Sequence, residues 1–294
     1  MLGGHLLSEC ARLEITCRCA SRSRPVALPR DSEWARWDLC EEISQAALDD
    51  LFSGAQAIVH AGAAVPSARE AHTTGALFDA NVRSALVLGE WTRARSLPLV
   101  FISGAIVYAS PDRVGIKESD EVGPSGSAGF YGFSKYLGEL IFQQFARQGL
   151  RLCILRPSSI YGYGLDHTKM ISNFLNASMR NEVIELVPPL ADAVDLVHAS
   201  DVARATIQAL EHEAVGVYNI ASGHMSQVRA VAETCLEIAG TGSIRTIGES
   251  DRSPTRRFGL DCSAARESFS YSPRMSLSRG LADMKAATQL AART

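Results

Sequence analysis

Short apolar runs alternate with longer stretches of helical periodicity through the first half of the chain. Residues 55–64 (AQAIVHAGAA) and 98–103 (PLVFIS) are apolar almost throughout, as expected of strands that are buried on both faces. Residues 81–96 and 131–148 place their apolar side chains at helical spacing. This alternation predicts an α/β fold with a parallel sheet that is covered by helices on both faces.

The same pattern divides the chain into two regions. Further elements are predicted as strands at 13–19, 151–157, 183–187, 194–197 and 215–222 and as a helix near 169–180. We predict a sheet domain over residues 1–162, revisited by about 194–222, and a smaller cap made of 163–193 and 223–294. The cleft between the two is the expected position of a binding site.

Composition narrows the functional classes. The 294 residues are 46% hydrophobic and carry a formal net charge of −3, which predicts an ample core and no basic footprint for nucleic acid. The 7 cysteines include no CxxC pair, which argues against a disulfide framework or a metal site. The most apolar run, LPLVFISGAIVYA, is shorter than the ~20 residues that span a bilayer. We expect a cytoplasmic protein that binds no metal, nucleic acid or membrane.

One tyrosine–lysine pair carries the predicted chemistry. Tyr131 and Lys135 are four residues apart on a predicted helix, so they lie on one face and one turn from each other. A tyrosine with an unperturbed pKa near ~10 is a poor base at neutral pH, but a neighbouring ammonium lowers that pKa. The pair therefore predicts a general acid/base, with a chance pairing on an exposed helix as the alternative.

Collinear motifs around this pair resemble a known enzyme superfamily. They are WDLCE (37–41), AIVHAGAAVP (57–66), FISGAIVYAS (101–110), YGFSKYLGE (131–139), LRPSSIYGYG (155–164), DLVHASDVARA (195–205) and GVYNIASG (216–223). With them the chain resembles the extended short-chain dehydrogenase/reductase superfamily, in its branch of NAD(P)-dependent sugar-nucleotide epimerases and dehydratases. The resemblance implies a Rossmann-like doubly wound sheet that binds a dinucleotide and carries a substrate cap.

The resemblance also assigns residues. Tyr131 is the implied proton-transfer residue, and Lys135 the residue that holds the nicotinamide ribose and lowers the Tyr131 pKa, while the cofactor performs the hydride step. The other expected cofactor-binding residues are Gly3, Arg22, Asp38, Leu39, His60, Ala61, Ala63, Asn81, Pro157, Ser158 and Ile160. Two of them have structural alternatives, His60 as a core histidine and Asn81 as a helix cap.

The choice of cofactor and the assembly are expected on further grounds. Arg18, Arg22 and Arg24 follow the second strand of the family pattern, where arginine suits a 2′-phosphate and favours NADP over NAD. Family members are frequently dimers through two helices per subunit, which implies a homodimer through the helices at 81–96 and 131–148.

The catalytic serine departs from the family pattern. The family's hydroxyl partner stands four residues before the closing tyrosine of its strand, and counting back from Tyr108 reaches Gly104. Ser103 is adjacent, but neighbouring side chains on an extended strand point to opposite faces. Ser103 is therefore a catalytic candidate only if the strand end bends; the alternative is a buried serine bonded to backbone.

The substrate residues depart as well. Nucleotide-sugar enzymes of the family commonly clamp the diphosphate with an arginine where this chain has Val194. The arginines of DRSPTRRFG either replace that clamp or form a solvated basic loop. The expected substrate-binding residues are Ser159, Asn173, Arg252 and Arg256. A nucleotide sugar is the expected substrate; a non-nucleotide carbonyl or alcohol, or a catalytically dead relict, are the alternatives.

The opening residues, MLGGHLLSEC, match only the end of the family's glycine-rich loop, with Gly3 in place of its third glycine. The family's first strand would lie between the strands at 13–19 and 55–64, and its loss would leave backbone groups unpaired on both sides. We expect the natural protein to begin upstream with an apolar strand and a Gly-rich turn. The alternatives are direct pairing of 13–19 with 55–64, or a protein that works without a dinucleotide.

Overall fold

The computed structural model describes residues 1–66, 73–124, 128–248 and 255–291. Its helices are α1 (Leu2–Arg12), α2 (Gln45–Leu51), α3 (Thr74–Phe78), α4 (Ser84–Ala94), α5 (Gly129–Ala146), α6 (Met170–Met179), α7 (Ala199–Glu211), α8 (Val228–Ala239), α9 (Ser263–Phe269) and α10 (Leu277–Ala291). Its strands are β1 (Arg18–Ser21), β2 (Glu33–Arg36), β3 (Ile58–His60), β4 (Leu99–Ile102), β5 (Leu152–Pro157), β6 (Ser159–Tyr161), β7 (Val183–Leu186), β8 (Ala193–His198), β9 (Gly216–Ile220), β10 (Met225–Gln227), β11 (Ser243–Thr246) and β12 (Arg257–Phe258).

A parallel sheet in the order β3–β4–β5–β9 forms the centre of the fold. Val100 and Ile102 of β4 pack into one core with side chains of α1, α7 and α9, whereas Leu99 and Phe101 pack into another with side chains of α2, α4 and α5. Because both faces are covered, every residue of β4 is apolar and buried. The predicted doubly wound α/β fold is confirmed.

The elements after β5 build smaller sheets with a core of their own. Strand β8 pairs in parallel with β6 and β12 and antiparallel with β10, and β7 pairs in parallel with β11. Helices α6, α8 and α10 contribute Leu175, Val231 and Leu281 to this core. These elements include those of the predicted cap, and the division into two domains stays a prediction. No helix in the described ranges has both the length and the apolarity to cross a membrane.

Strands β1 and β2 stand apart from the central sheet. Strand β1 pairs in parallel with β2, and in the described part of the chain it forms no ladder with β3. A cavity of about 1880 Å³ is lined by residues 17–21 on the β1 side and by residues 57–60 on the β3 side. Direct pairing of 13–19 with 55–64, one of the three sequence-based alternatives, is therefore wrong for this structure.

The strand predicted at 13–19 is also displaced along the chain. Glu14 has φ +56°, and the Ile15 amide donates to the Cys10 carbonyl at 2.9 Å, so the backbone turns directly after α1. Extended structure begins only at Arg18. The apolar pattern of LEITCRC did not reveal this turn, because a left-handed residue other than glycine leaves little trace in sequence.

Candidate active site

The three predicted catalytic residues line one cavity. Tyr131 and Lys135 come from α5, and Ser103 directly follows β4 at its carboxyl end. In a doubly wound sheet this edge is where ligands bind, because loops at the carboxyl ends of the strands leave a crevice. The structure thus brings together the residues that the sequence placed in two separate segments.

The hydroxyl of Ser103 is buried and lacks a hydrogen-bond partner among the described residues. Its backbone amide donates to the Leu155 carbonyl at 2.8 Å, and a 3₁₀ turn over Ala105–Val107 follows Gly104. A serine hydroxyl bonded to backbone, the structural alternative, is not observed. Burying a hydroxyl without a hydrogen-bond partner costs free energy, and a ligand that bonds to the Ser103 hydroxyl would remove that cost.

The ammonium of Lys135 points into the protein. Its Nζ donates to the Ile102 carbonyl at 2.8 Å and lies 4.3 Å from the centroid of the Phe101 ring. Burial lowers the pKa of Lys135 to about 8, although the charge of Glu139 raises it. The Lys135 ammonium therefore remains mostly charged at neutral pH, although burial has brought its pKa closer to neutrality.

The predicted pKa shift of Tyr131 has the wrong sign. Burial raises the pKa of Tyr131 to about 12, whereas the sequence led us to expect a lowered value. The physical reason is that desolvation penalises the phenolate while the Lys135 ammonium is engaged by the Ile102 carbonyl and the Phe101 ring. In this structure Tyr131 is therefore a protonated acid.

Most of the predicted cofactor-binding residues line the same cavity. They are Gly3, Arg22, Asp38, Leu39, His60, Ala61, Ala63, Pro157, Ser158 and Ile160, and the predicted substrate residue Ser159 joins them. The cavity volume of about 1880 Å³ exceeds the roughly 300–1,000 Å³ of ordinary ligand pockets. It therefore has room for a ligand as large as a dinucleotide.

His60 is a core histidine as well as part of the cavity wall. Its ring stacks on that of Phe101 at a centroid distance of 5.5 Å, and its Nε2 lies 3.4 Å from the Ser84 Oγ. Burial, reinforced by the charge of Lys135, lowers the pKa of His60 to about 3. The imidazole is neutral at physiological pH.

Asn81 does not line the cavity, contrary to its expected cofactor role. It lies in a π-helical segment, Asp79–Arg83, that joins α3 to α4. Its side chain accepts from the Ala64 amide at 2.8 Å, donates to the Ala64 carbonyl at 3.0 Å and donates to the Ser134 Oγ at 2.9 Å. The side-chain amide of Asn81 therefore joins the π-helical segment to Ala64 and to Ser134 of α5, and Asn81 is not a helix cap.

The predicted substrate residues are only partly brought together. Asn173 is exposed on α6, because its neighbours Phe174 and Leu175 turn the apolar face of that helix inward, and it lies outside the cavity. Arg256 also lies outside the cavity, and its backbone amide donates to the Asp192 carboxylate at 2.8 Å. Arg252 lies outside the described residues.

Sequence reasoning missed a buried carboxylate that supports the cavity wall. Asp195 on β8 accepts hydrogen bonds from the Ser222 and Gly223 amides, both at 2.8 Å, and from the Ser158 hydroxyl at 3.3 Å. Burial raises the pKa of Asp195, whereas these hydrogen bonds lower it. The signal was a single acidic residue inside the apolar strand AVDLVH, which buried strands rarely carry without partners.

A buried ion pair was also missed. Arg156 of β5 donates to the Glu139 carboxylate at 3.0 and 2.6 Å, with both side chains nearly inaccessible. The guanidinium lies 5.0 Å from the centroid of the Tyr108 ring and donates to the Glu118 carbonyl at 3.3 Å. Although burial acts in the opposite direction, Glu139 raises the pKa of Arg156. The pair fixes α5, and with it Lys135, against the central sheet.

Metal-binding chemistry finds no support in the part of the chain that the structure describes. No group of three or more His, Cys, Asp or Glu side chains there is placed to hold a metal ion. The seven cysteines are free thiols.

Curated relatives match most of the chain. A family model described as NAD dependent epimerase/dehydratase family matches residues 1–221. A putative UDP-glucose 4-epimerase of Methanocaldococcus jannaschii is 25% identical over 236 residues, which cover 78% of this chain and 76% of that protein. A dTDP-glucose 4,6-dehydratase of Streptomyces niveus is 27% identical over 263 residues, or 88% and 76% of the two chains.

Solved structures agree with this match. MoeE5 in complex with UDP-glucose and NAD superposes with a TM-score of 0.83 at 25% identity, covering 99% of this chain and 96% of that chain. RMD from Pseudomonas aeruginosa, complexed with NADPH, has a TM-score of 0.78 at 20% identity over 100% and 96% of the two chains, and supports the fold alone. With a matched model over residues 1–221 of 294, the chain belongs to the NAD dependent epimerase/dehydratase family of enzymes.

Proposed function

We propose that this enzyme uses a nicotinamide cofactor to epimerise or dehydrate a nucleotide sugar. The observation that carries the proposal is the meeting of Tyr131, Lys135 and the unpartnered Ser103 hydroxyl in one large cavity. Relatives named for UDP-glucose and dTDP-glucose chemistry, and the solved structure of MoeE5 in complex with UDP-glucose and NAD, support this substrate class.

The residues present fit a dinucleotide. The unpartnered Ser103 hydroxyl and a wall formed by Pro157, Ser158 and Ile160 suit the nicotinamide side. Gly3 in the first turn of α1 also lines the cavity, and a Cβ built there would meet nothing within 4 Å. A helix amino terminus favours an anion such as pyrophosphate. When bound, NAD or NADP supplies the hydride chemistry.

The chain's own groups move the proton. Tyr131, protonated because burial raises its pKa to about 12, gives its phenolic proton to a substrate oxygen. The reverse transfer requires a lower pKa in the occupied site, and the Lys135 ammonium in the same wall is the charge that can provide it. The Ser103 hydroxyl orients the reacting oxygen, and Ser159 lines the side on which we place the substrate.

We infer a preference for NADP from the position of one arginine. Arg22 lines the cavity together with Asp38, at the end where the adenosine half would lie. A guanidinium there suits a 2′-phosphate. Arg22→Ser should weaken NADPH binding at least tenfold and leave NADH binding nearly unchanged; an equal effect on both would exclude this role.

We also infer a homodimer through α4 and α5. Leu86 on α4 and Phe133 and Leu140 on α5 are large apolar side chains with 42–50% of their surface exposed. Paired helices from two subunits would cover these positions. Light scattering after size exclusion should give twice the monomer mass, and Leu86→Glu with Leu140→Glu should reduce it to the monomer.

One observation favours a second candidate function, a reductase of a non-nucleotide carbonyl or alcohol. Val194, which occupies the place of the family's diphosphate clamp, lines the main cavity and offers it an apolar side chain. Arg257 instead lines a separate cavity of about 680 Å³. A substrate without phosphate would suit this apolar wall better than a nucleotide sugar.

The test has two stages. Purified protein is first titrated with NADH and NADPH while nicotinamide fluorescence is followed, and micromolar binding is expected. If neither cofactor binds, the alternative of a catalytically dead relict replaces both enzyme proposals. UDP- and dTDP-sugars are then supplied with the cofactor, and products are identified by mass spectrometry and proton NMR. Turnover only of sugar-free carbonyl compounds would replace the leading proposal with the second candidate.

A further inference from the structure

A second cavity, of about 680 Å³, lies on the other face of the sheet that contains β8. Neighbouring residues of β8 divide between the two cavities, since Val194 lines the main one and Ala193 lines the second. Strand β12 shows the same alternation, with Phe258 in the main cavity and Arg257 in the second. Successive side chains of a strand point to opposite faces of its sheet, so these two strands separate the cavities.

Three strands place their residues in one row on this second face. Ala193 of β8 stands between Arg257 of β12 and Gln227 of β10 in the register of the sheet, and all three line the second cavity. The small side chain of Ala193 leaves room between the two longer ones. His224, directly before β10, and Thr255, shortly before β12, also line the cavity. Four polar side chains are therefore gathered around an alanine.

The second cavity carries a positive charge. None of the described residues that line it is acidic, and Arg257 forms no ion pair or side-chain hydrogen bond with any residue that the structure describes. The nearest carboxylates along β8 are engaged elsewhere: Asp192 accepts from the Arg256 amide and Asp195 from the Gly223 amide, each at 2.8 Å. A guanidinium without a counter-ion favours an anionic ligand.

We propose that the second cavity binds the phosphate group of a small molecule. The planar guanidinium of Arg257 can donate two parallel hydrogen bonds to a phosphate. The Gln227 amide, the Thr255 hydroxyl and the His224 ring can donate to its other oxygens. A phosphate offers three strong acceptor oxygens, so it uses these donors more fully than a carboxylate does.

Size and access agree with such a ligand. A volume of about 680 Å³ lies within the roughly 300–1,000 Å³ of ordinary pockets for small molecules. Arg257, His224 and Gln227 are exposed, so a ligand can reach the cavity directly from solvent. The proposed ligand is therefore a phosphate monoester of modest size.

This inference goes beyond the proposed function and does not rest on it. The two cavities share no lining residue among those that the structure describes, and binding is measured without turnover. If the protein binds no nicotinamide cofactor, a phosphate monoester should still bind at Arg257. If the monoester does not bind there, the cofactor and substrate proposals are unaffected.

Isothermal titration of the purified protein with glycerol phosphate gives the first test. Arg257→Ala should weaken binding by about tenfold or more, because hydrogen bonds between charged groups are the strongest that the site offers. Arg245→Ala is the matched control, since it removes the same charge from an exposed position on β11 outside both cavities. Equal losses in the two variants, or unchanged affinity in Arg257→Ala, would overturn the proposal.

Two further variants locate the ligand. Ala191→Leu, at an exposed position in the lining of the second cavity, keeps Arg257 but occupies space, and should also weaken binding by about tenfold. Arg22→Ser, in the main cavity, should leave the affinity for glycerol phosphate unchanged. Loss of binding in Arg22→Ser with none in Ala191→Leu would place the anion in the main cavity and contradict the proposal.

The choice of phosphate over other anions is tested on the wild-type protein. Malonate carries two carboxylates and should bind about tenfold more weakly than glycerol phosphate, because it cannot present three oxygens to one cluster of donors. Equal affinity for the two anions would show that the cavity does not recognise phosphate as such.

Discussion

Burial, more than sequence spacing, sets the protonation state of the reactive residues. Tyr131 and Lys135 share one cavity, as their spacing predicted, because the face of a helix follows from local geometry. Burial nevertheless raises the pKa of the first to about 12 and lowers that of the second to about 8. Local sequence therefore identified the two groups, but it did not give the direction of the Tyr131 pKa shift.

Tyr131→Phe removes the proposed proton-transfer hydroxyl and should lower kcat by roughly 10²–10⁴-fold, with cofactor affinity nearly unchanged. Steady-state kinetics and nicotinamide fluorescence on the same preparation measure the two effects. Tyr136→Phe, five residues further along α5, is the matched control and should keep wild-type turnover. Unchanged turnover in Tyr131→Phe would remove the role assigned to it.

His60 should make the protein sensitive to acid. Burial lowers its pKa from 6.5 to about 3, so between those values the unfolded state binds more protons than the folded state. Stability is therefore lost as pH falls below 6.5, by up to about 3 kcal/mol near pH 4.5. Urea unfolding at several pH values should show a shallower acid loss in His60→Phe. His212→Phe, at an exposed position, should keep the wild-type slope; identical slopes for His60→Phe would contradict the assignment.

At the scale of secondary-structure elements, a few buried polar contacts hold α5 in place. Glu139 ties the helix to Arg156 of β5, and Ser134 ties it to Asn81 in the π-helical segment. Gly138 allows the close approach, since a Cβ there would lie 3.1 Å from the Phe101 ring and 3.3 Å from the Asn81 carbonyl. These contacts determine where Tyr131 and Lys135 stand relative to β4.

Glu139→Gln should destabilise the fold by about 3 kcal/mol, because it leaves the Arg156 charge buried without its counter-ion. Since the Glu139 charge also raises the Lys135 pKa, the basic limb of the pH–rate profile should move to lower pH. Chemical denaturation and pH–rate profiles give the two readouts. Glu182→Gln, in an exposed ion pair with Arg180, should change neither; equal effects of the two variants would refute the argument.

Asn81→Ala should cost about 2 kcal/mol, because it leaves the Ala64 amide and carbonyl without their side-chain partner in a buried place. Thermal unfolding of the ligand-free protein measures the loss, and Asn173→Ala, at an exposed position on α6, serves as control. Weakened cofactor binding without any loss of stability would instead restore the cofactor-contact role expected from sequence.

At the scale of the whole molecule, the central sheet and the β1–β2 pair face each other across the main cavity. Strands β4 and β5 are each hydrogen-bonded on both sides, whereas β1 has β2 as its ladder partner in the described ranges. A pair of strands is marginally stable unless other elements support it. A dinucleotide in the cavity would contact both units and couple them.

Hydrogen exchange should reveal this difference. Amides of 18–21 should exchange much faster than those of 152–157 in the ligand-free protein, because local opening of a two-stranded unit costs less than opening of the central sheet. Saturating cofactor should slow exchange at 18–21 more than at 152–157. Mass spectrometry of peptic fragments reports both; equal protection of the two segments without ligand would show that β1 is anchored by contacts other than its ladder.

The sequence by itself determined the alternation of strands and helices, the doubly wound sheet and the pairing of Tyr131 with Lys135, because periodicity and helix spacing are local properties. It also identified Ser103, which the structure places in the cavity wall with its hydroxyl unpartnered. The tertiary structure decided that Asn81 binds backbone, that β1 and β3 do not pair and that burial raises the Tyr131 pKa. Each of these depends on contacts with residues that are distant in the chain, and no local sequence pattern records such contacts.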